Sequence, residues 1–149
     1  MFNFSLMGAG RIGKMHAGII NSHPDCKIKY IYDINAEFVR ELSSKYEASV
    51  ANNADEAITS DEIDAVFIAS ATPTHTEFIT KASNSGKAIF CEKPIDLDIK
   101  KVDQCRDAIK NTRVPIQIGF NRRFDSSHRK LQQAKVANEI GKLEMLIIT

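Results

Sequence analysis

The chain has 149 residues, of which 43% are hydrophobic and 26% are charged, and it carries 20 Lys and Arg against 19 Asp and Glu. A chain of this length and composition can bury a hydrophobic core without disulfides or a structural metal. Because the two signs of charge are balanced and dispersed, we expect neither nucleic acid nor a membrane surface as a partner.

The cysteines and the N-terminal segment indicate the compartment. Cys26, Cys91 and Cys105 lie far apart and form no CxxC pair, which argues against a disulfide framework and against zinc. The first residues lack the basic and apolar segments of a signal peptide, and no apolar run approaches the roughly 18 residues of a membrane span. We therefore expect a cytoplasmic protein with reduced thiols and no metal.

Strand-like and helix-like segments alternate along most of the chain. Apolar runs rich in β-branched and aromatic residues predict strands at 2–7, 27–33, 48–51, 65–69, 87–91 and 114–119. The helical spacing of apolar residues predicts helices at 10–22, 35–46, 53–60, 74–83 and 98–110. Because short connections favour right-handed crossovers, we predict an α/β fold built on a doubly wound parallel sheet.

The pattern changes after Gly119. Residues 124–137 predict one long helix, and the apolar run Leu143–Thr149 predicts a strand that follows a turn at Gly141. If uncovered, such a strand is an aggregation-prone edge, which natural proteins usually avoid. We therefore expect the chain to be part of a longer protein, in which 1–120 form one domain and 121–149 are a linker helix and the first strand of a second, α+β domain.

A glycine motif lies between the first strand and the first helix. The segment Gly8-Ala9-Gly10-Arg11-Ile12-Gly13 matches G-x-G-x-x-G, and Asp33 follows 20 residues after it, at the end of the next strand. Gly8 permits a tight turn, Gly10 lets the backbone approach a pyrophosphate, and Gly13 lets helix and strand pack closely. Because the N-terminus of the helix also favours phosphate charge, the motif predicts a dinucleotide site in 1–120.

Asp33 is expected to select between two dinucleotides. Its carboxylate can accept hydrogen bonds from ribose hydroxyls, and its charge would repel a ribose 2′-phosphate. Arg40 is at least a full helical turn away, so no phosphate-binding alternative is evident. NAD is therefore favoured over NADP, and a solvated strand-end carboxylate without a ligand is the alternative for Asp33.

The segment after the fourth strand lies at the edge of the sheet where ligands bind in these folds. Ser70, Thr72 and Pro73 are expected to shape a loop over the cofactor. His75 follows at the start of the next helix and leaves two alternatives open. Either it lines the nicotinamide side of the cofactor, or it caps or packs within the protein.

Charged segments follow the fifth and sixth strands. Within Cys91-Glu92-Lys93-Pro94, a lysine partly desolvated beside a cofactor can hold a proton on a substrate hydroxyl. The alternative for Lys93 is an ordinary surface lysine before a proline. Cys91 has no activating base beside it in sequence and is predicted to be a buried strand residue. Arg122 and Arg123, after the sixth strand, are candidates for substrate contact, and one of them is expected to be solvated or ion-paired instead.

In this order and at these spacings, the motifs resemble the Gfo/Idh/MocA oxidoreductase family. The shared segments are GAGRIG, the acidic Asp33, TPTH, CEKP and GFNRRFD, and the resemblance covers essentially all 149 residues. The segments CEKPIDLD and GFNRRFD look most like the inositol dehydrogenases within that family, which oxidise myo-inositol with NAD. The resemblance implies a Rossmann-type NAD-binding domain in 1–120 and the NAD-dependent oxidation of a polyol or sugar.

The resemblance also implies roles for individual residues. Lys93 matches the catalytic lysine that hydrogen-bonds the reacting hydroxyl, and Arg122 is a candidate match for a substrate-contacting arginine. The residues expected to bind the cofactor are Gly8, Gly10, Arg11, Ile12, Gly13, Asp33, Ser70, Thr72, Pro73, His75 and Glu92. Family members add an aspartate and a histidine from a substrate domain, through which they usually form homo-oligomers, and this sequence stops before that pair. We therefore expect the whole protein to be an enzyme and this chain alone to be inactive.

A second interpretation belongs to a different functional class. The chain would then be a non-catalytic dinucleotide-binding module that senses the nicotinamide state or binds a partner through residues 143–149. The apolar character of that terminal run favours the first interpretation, because a naturally short protein would leave it uncovered.

Overall fold

In the computed structural model, which describes residues 1–147, six parallel strands form one sheet. The strands are β1 (Phe2–Met7), β2 (Cys26–Tyr32), β3 (Ser49–Val50), β4 (Ala65–Ile68), β5 (Ala88–Cys91) and β6 (Ile116–Ile118). Their order across the sheet is β3-β2-β1-β4-β5-β6, and each neighbouring pair is parallel. The predicted doubly wound parallel sheet is therefore confirmed.

Five helices connect these strands within the unit Met1–Gly119. They are α1 (Arg11–Ser22), α2 (Ala36–Tyr46), α3 (Ala54–Thr59), α4 (His75–Asn84) and α5 (Ile99–Ile109). Three of them begin at a side-chain cap, because Asn35, Asn53 and Asp98 accept backbone N–H groups of α2, α3 and α5. In the described part of the chain, no helix is long and apolar enough to cross a membrane.

The centre of the sheet is buried on both faces, whereas the edge strands β3 and β6 are largely exposed. Every residue of β4 is buried, and its successive side chains point to opposite sides. On one face, Val66 and Ile68 join a core with Phe78 and Ile79 of α4. On the other face, α1 and α2 pack on the sheet through a second core that includes Leu6, Ala17, Ile20, Ile28, Ile31, Val39, Leu42 and Phe67.

The carboxyl ends of three strands meet at one edge of the sheet. β1 lies between β2 and β4, and Met7 at its end pairs with Tyr32 on one side and Ile68 on the other. The segments that follow these strands therefore begin side by side. In doubly wound sheets, the crevice at this point, where the strand order reverses, is where ligands bind.

The second unit, from Phe120 onward, differs from the sequence prediction in one respect. The predicted long helix is confirmed as α6 (Ser126–Val136). The strand predicted at Leu143–Thr149 is wrong over residues 143–147, which form no regular secondary structure, and residues 148–149 lie outside the described part. A strand requires a neighbour for its backbone hydrogen bonds, and this unit contains no strand among its described residues.

Candidate functional site

Two glycines of the motif are required by the close packing of the chain. Gly8 has a φ of 103°, and a Cβ there would lie 2.5 Å from backbone atoms of Ala69 and Ser70. A Cβ on Gly13 would lie 1.9 Å from the carbonyl oxygen of Gly8. The turn between β1 and α1 is therefore pressed against both its own helix and the end of β4.

Gly10 differs from these two glycines because internal packing does not require it. A Cβ added at Gly10 would meet no atom within 4 Å. Gly10 is also the N-cap of α1, and no side chain caps the first turn of that helix. Free N–H groups beside an open surface suit a bound phosphate, so these residues fit a dinucleotide pyrophosphate.

Asp33 holds the glycine turn to the start of α2. Its Oδ2 accepts a hydrogen bond of 2.6 Å from the backbone N–H of Ala9, and its Oδ1 accepts one of 2.8 Å from that of Asn35. The half-buried carboxylate thus lies beside the glycine turn, as the spacing of the motif predicts.

A cleft of about 190 Å³ joins the segments that follow β1, β2 and β4. It brings together Gly8, Asp33 and Ser70, which the sequence predicts to share one site. Ala71 and Thr74 also line it and belong to the segment predicted at the ligand-binding edge, whereas no sequence motif indicated the remaining lining residues, Tyr32, Ile34 and Phe78. Ile34 is 95% exposed. Its apolar side chain directly after Asp33 is the sequence signal that could have identified Ile34 as a lining residue.

The loop after β4 is held by hydrogen bonds within itself. The hydroxyls of Ser70 and Thr74 lie 2.7 Å apart, and Thr72–Thr74 form a 3₁₀ turn that exposes Pro73. The side chain of His75 is enclosed, with 2% exposure, and its two ring nitrogens lie near the carbonyl oxygens of Ser70 and Pro94. This position favours the packing alternative for His75 over direct contact with a cofactor.

The segment after β5 carries Lys93 at the surface. Lys93 is exposed, and the Lys93–Pro94 peptide bond is cis. Among residues 1–147, no hydrogen bond or ion pair engages its ammonium. Glu92 instead turns toward α1, where its Oε1 lies 2.8 Å from Nε2 of His16. No sequence motif indicates His16, because nothing in local spacing connects residues 76 positions apart.

Arg122 belongs to the second unit. It lies in the 3₁₀ turn Asn121–Phe124, with its side chain 75% exposed and 3.7 Å from the carboxylate of Asp125. Hydrogen bonds from the backbone and side chain of His128 lower the pKa of Asp125 to about 2. The exposed guanidinium is available for a ligand, and its contact with a substrate stays a prediction.

Cys91 is buried at the end of β5, as the sequence predicts. Burial, with a smaller contribution from the Glu92 carboxylate, raises the pKa of its thiol to about 12. The thiol is therefore protonated and enclosed beside the exposed Lys93, which excludes it as a nucleophile in the native protein.

We expect the native protein to react with DTNB at pH 8 only through the half-buried Cys26. At that pH the thiolate fraction of Cys91 is roughly one in ten thousand. The Cys26→Ser variant should therefore release thionitrobenzoate only after denaturation, when Cys91 and Cys105 become accessible. A fast native reaction of this variant would contradict the environment described for Cys91.

Comparisons with known proteins agree with this geometry. Residues 2–120 match a family model described as the Gfo/Idh/MocA oxidoreductase family, NAD-binding Rossmann fold. Inositol 2-dehydrogenase of Rhizobium meliloti is 38% identical over 98% of this chain and 44% of its own length. Myo-inositol 2-dehydrogenase of Thermotoga maritima is 35% identical over 97% of this chain and 43% of its own length.

A solved structure gives the same relationship. Scyllo-inositol dehydrogenase from Lactobacillus casei, crystallised with NAD(H) and scyllo-inositol, superposes with a TM-score of 0.88 at 31% identity. The match covers 95% of this chain and 43% of that one, so the chain spans less than half the length of these relatives. With most of its residues matched by the family model, the chain belongs to the Gfo/Idh/MocA oxidoreductase family and has its NAD-binding Rossmann fold.

Proposed function

We propose that this chain is the cofactor-binding part of an NAD-dependent dehydrogenase that oxidises a secondary hydroxyl of myo-inositol or of a related polyol or sugar. The observation that carries the proposal is the cleft that joins the glycine turn, Asp33 and the Ser70 loop, next to the strand end that bears Lys93. The inositol dehydrogenases among its relatives support the substrate class.

The two sides of the cleft suit the two ends of the dinucleotide. Asp33 follows β2 on one side of β1, and its carboxylate is the hydrogen-bond acceptor for the adenosine ribose hydroxyls. The N–H groups at the start of α1 take the pyrophosphate. The nicotinamide half then lies toward β4 and β5, where Ser70 and Lys93 follow the strands. When bound there, NAD supplies the hydride acceptor.

In this proposal, Lys93 binds the substrate. Its exposed ammonium donates a hydrogen bond to the oxygen of the reacting hydroxyl and helps to hold the charge that develops as the proton leaves. For Arg122, in the second unit, contact with a substrate stays a prediction. The general base comes from outside this chain, and without such a base the rate falls by a factor of roughly 10²–10⁴.

Gly10→Ala tests the cofactor site while leaving the packing of the chain intact. Because the added methyl group meets no protein atom, we expect an unchanged thermal midpoint and roughly tenfold or greater weakening of NADH binding by calorimetry. Gly18→Ala in the same helix is the control, since its Cβ makes only an ordinary contact of 3.6 Å with Tyr46. Equal NADH affinity in both variants would argue against a pyrophosphate at Gly10.

Asp33→Asn tests the preference for NAD. The amide oxygen can still accept the N–H of Ala9, whereas the bond from the N–H of Asn35 and the negative charge that repels a 2′-phosphate are both lost. The ratio of NADP to NAD affinity should therefore rise by about tenfold or more. Asp64→Asn is the control, because Asp64 also accepts a backbone N–H but lies at the other end of the sheet. An unchanged ratio in Asp33→Asn would contradict the role given to this carboxylate.

Lys93→Met tests the oxidoreductase proposal in a protein that joins this chain to the remaining C-terminal part of the Rhizobium meliloti relative. With myo-inositol as substrate and NADH formation followed by absorbance, the kcat of this variant should be at least roughly a hundredfold lower than that of the unmutated joined protein. Lys100→Met, an exposed position in α5, is the control and should keep its kcat. Full kcat in Lys93→Met would refute the role of Lys93, and a joined protein that binds NADH without turnover would favour the non-catalytic module.

A further inference from the structure

Lys93 is exposed, but both of its neighbours in the chain are tied to the protein interior by histidines. His16 of α1 contacts Glu92, and His75 at the start of α4 contacts Pro94. We propose that His16 and His75 are positioning residues that hold Lys93 from its two sides. This inference rests on the proposed function, because that function gives the position of Lys93 its importance.

The contact between His16 and Glu92 is enclosed and well supported. The side chains are 14% and 20% exposed, and Nε2 lies 2.8 Å from Oε1. The imidazole packs beside Phe67 and Phe90, with ring centroids 4.4 Å and 5.6 Å away. Since these two rings are themselves stacked at 4.3 Å, His16 has little freedom to turn away from Glu92.

The carboxylate of Glu92 is confined on its other sides as well. Its Oε2 accepts a hydrogen bond of 3.2 Å from the backbone N–H of Lys93. A Cβ added at Gly119, just after β6, would lie 3.2 Å from the carboxyl carbon, so glycine there leaves room for this group. Through these contacts, Glu92 connects α1 to the backbone of Lys93.

His75 contacts the residue that follows Lys93 in the chain, just as His16 contacts Glu92, the residue that precedes it. Its Nδ1 lies 2.8 Å from the carbonyl oxygen of Pro94, and its Nε2 lies 3.0 Å from that of Ser70. A neutral imidazole has one N–H and donates to one of these oxygens at a time, whereas the protonated ring donates to both. When Nδ1 carries the N–H, the ring donates to the carbonyl oxygen of Pro94 and so joins the start of α4 to the segment after β5.

Together the two histidines connect the glycine turn, the loop at Ser70 and the segment that bears Lys93. α1, which carries His16, begins at the glycine turn, and His75 bonds Ser70, which lines the cleft. Removing either ring should therefore loosen the β4 and β5 side of the cleft and leave the Asp33 side unaffected. A purely stabilising histidine would affect both sides alike or neither.

The first test compares two ligands of the 149-residue chain by calorimetry. NADH contains the nicotinamide ring, and ADP-ribose has the same adenosine and phosphates without that ring. His16→Ala and His75→Ala should weaken NADH binding by roughly three- to tenfold and leave ADP-ribose affinity within about twofold of wild type. The exposed His23→Ala should change neither affinity. Equal losses for both ligands, or none in folded variants, would overturn the proposal.

Conservative variants keep the test decisive if an alanine variant does not fold. His75→Asn keeps a donor near the position of Nδ1, and His75→Gln keeps one near Nε2. Because Pro94 adjoins Lys93, the asparagine variant should retain kcat in the joined protein better than the glutamine variant. His16→Gln should likewise retain the bond to Glu92. A higher kcat for His75→Gln than for His75→Asn would count against positioning through Pro94.

A double-mutant cycle in the joined protein separates this inference from the proposed function. If His16 acts through Lys93, His16→Ala should lower kcat in the wild-type background but not in Lys93→Met. Equal fold-losses in both backgrounds would overturn the inference while leaving the function intact. If Lys93→Met alone has no effect, or if the wild-type chain binds neither NADH nor ADP-ribose, the proposed function itself fails.

Discussion

The close approach of Gly8 and Gly13 is the constraint on which the rest of the site depends. With 1.9 Å between the Gly8 carbonyl oxygen and the place where a Gly13 Cβ would lie, no other residue type fits without moving the backbone. The same turn presses against Ala69 and Ser70 at the end of β4. The start of α1 and the loop after β4 are therefore held at one distance, and the cleft between them has a defined width.

The order of the strands places different residues on the two sides of this turn. Because β1 lies between β2 and β4, Asp33 and Ser70 flank the turn from opposite directions. Parallel pairing places all of these segments at the carboxyl edge, where backbone N–H groups of α1 also point. A negative charge at Asp33 and an exposed ammonium at Lys93 then give the two sides different chemistry.

Much of this arrangement follows from local sequence, and the exceptions have a physical cause. A continuous apolar run such as 65–69 predicts a strand covered on both faces, because the pattern involves one strand only. The spacing from Gly8 to Asp33 predicts their proximity, because both residues belong to one strand–helix–strand unit. The contact of His16 with Glu92 and the burial of His75 depend on tertiary packing between distant elements. The strand predicted at 143–149 failed over its described residues because hydrophobicity indicates burial but provides no pairing partner.

The most direct test of the central claim is an NMR titration of the isotopically labelled chain with NADH, followed through its backbone amide signals. If the cleft holds the dinucleotide across β1, amides of residues 9–13 and 33–34 should shift with both NADH and ADP-ribose. Amides of residues 70–75 and of Glu92 and Lys93 should shift with NADH far more than with ADP-ribose. Shifts confined to other surfaces, or no difference between the two ligands at the β4 and β5 ends, would contradict this account.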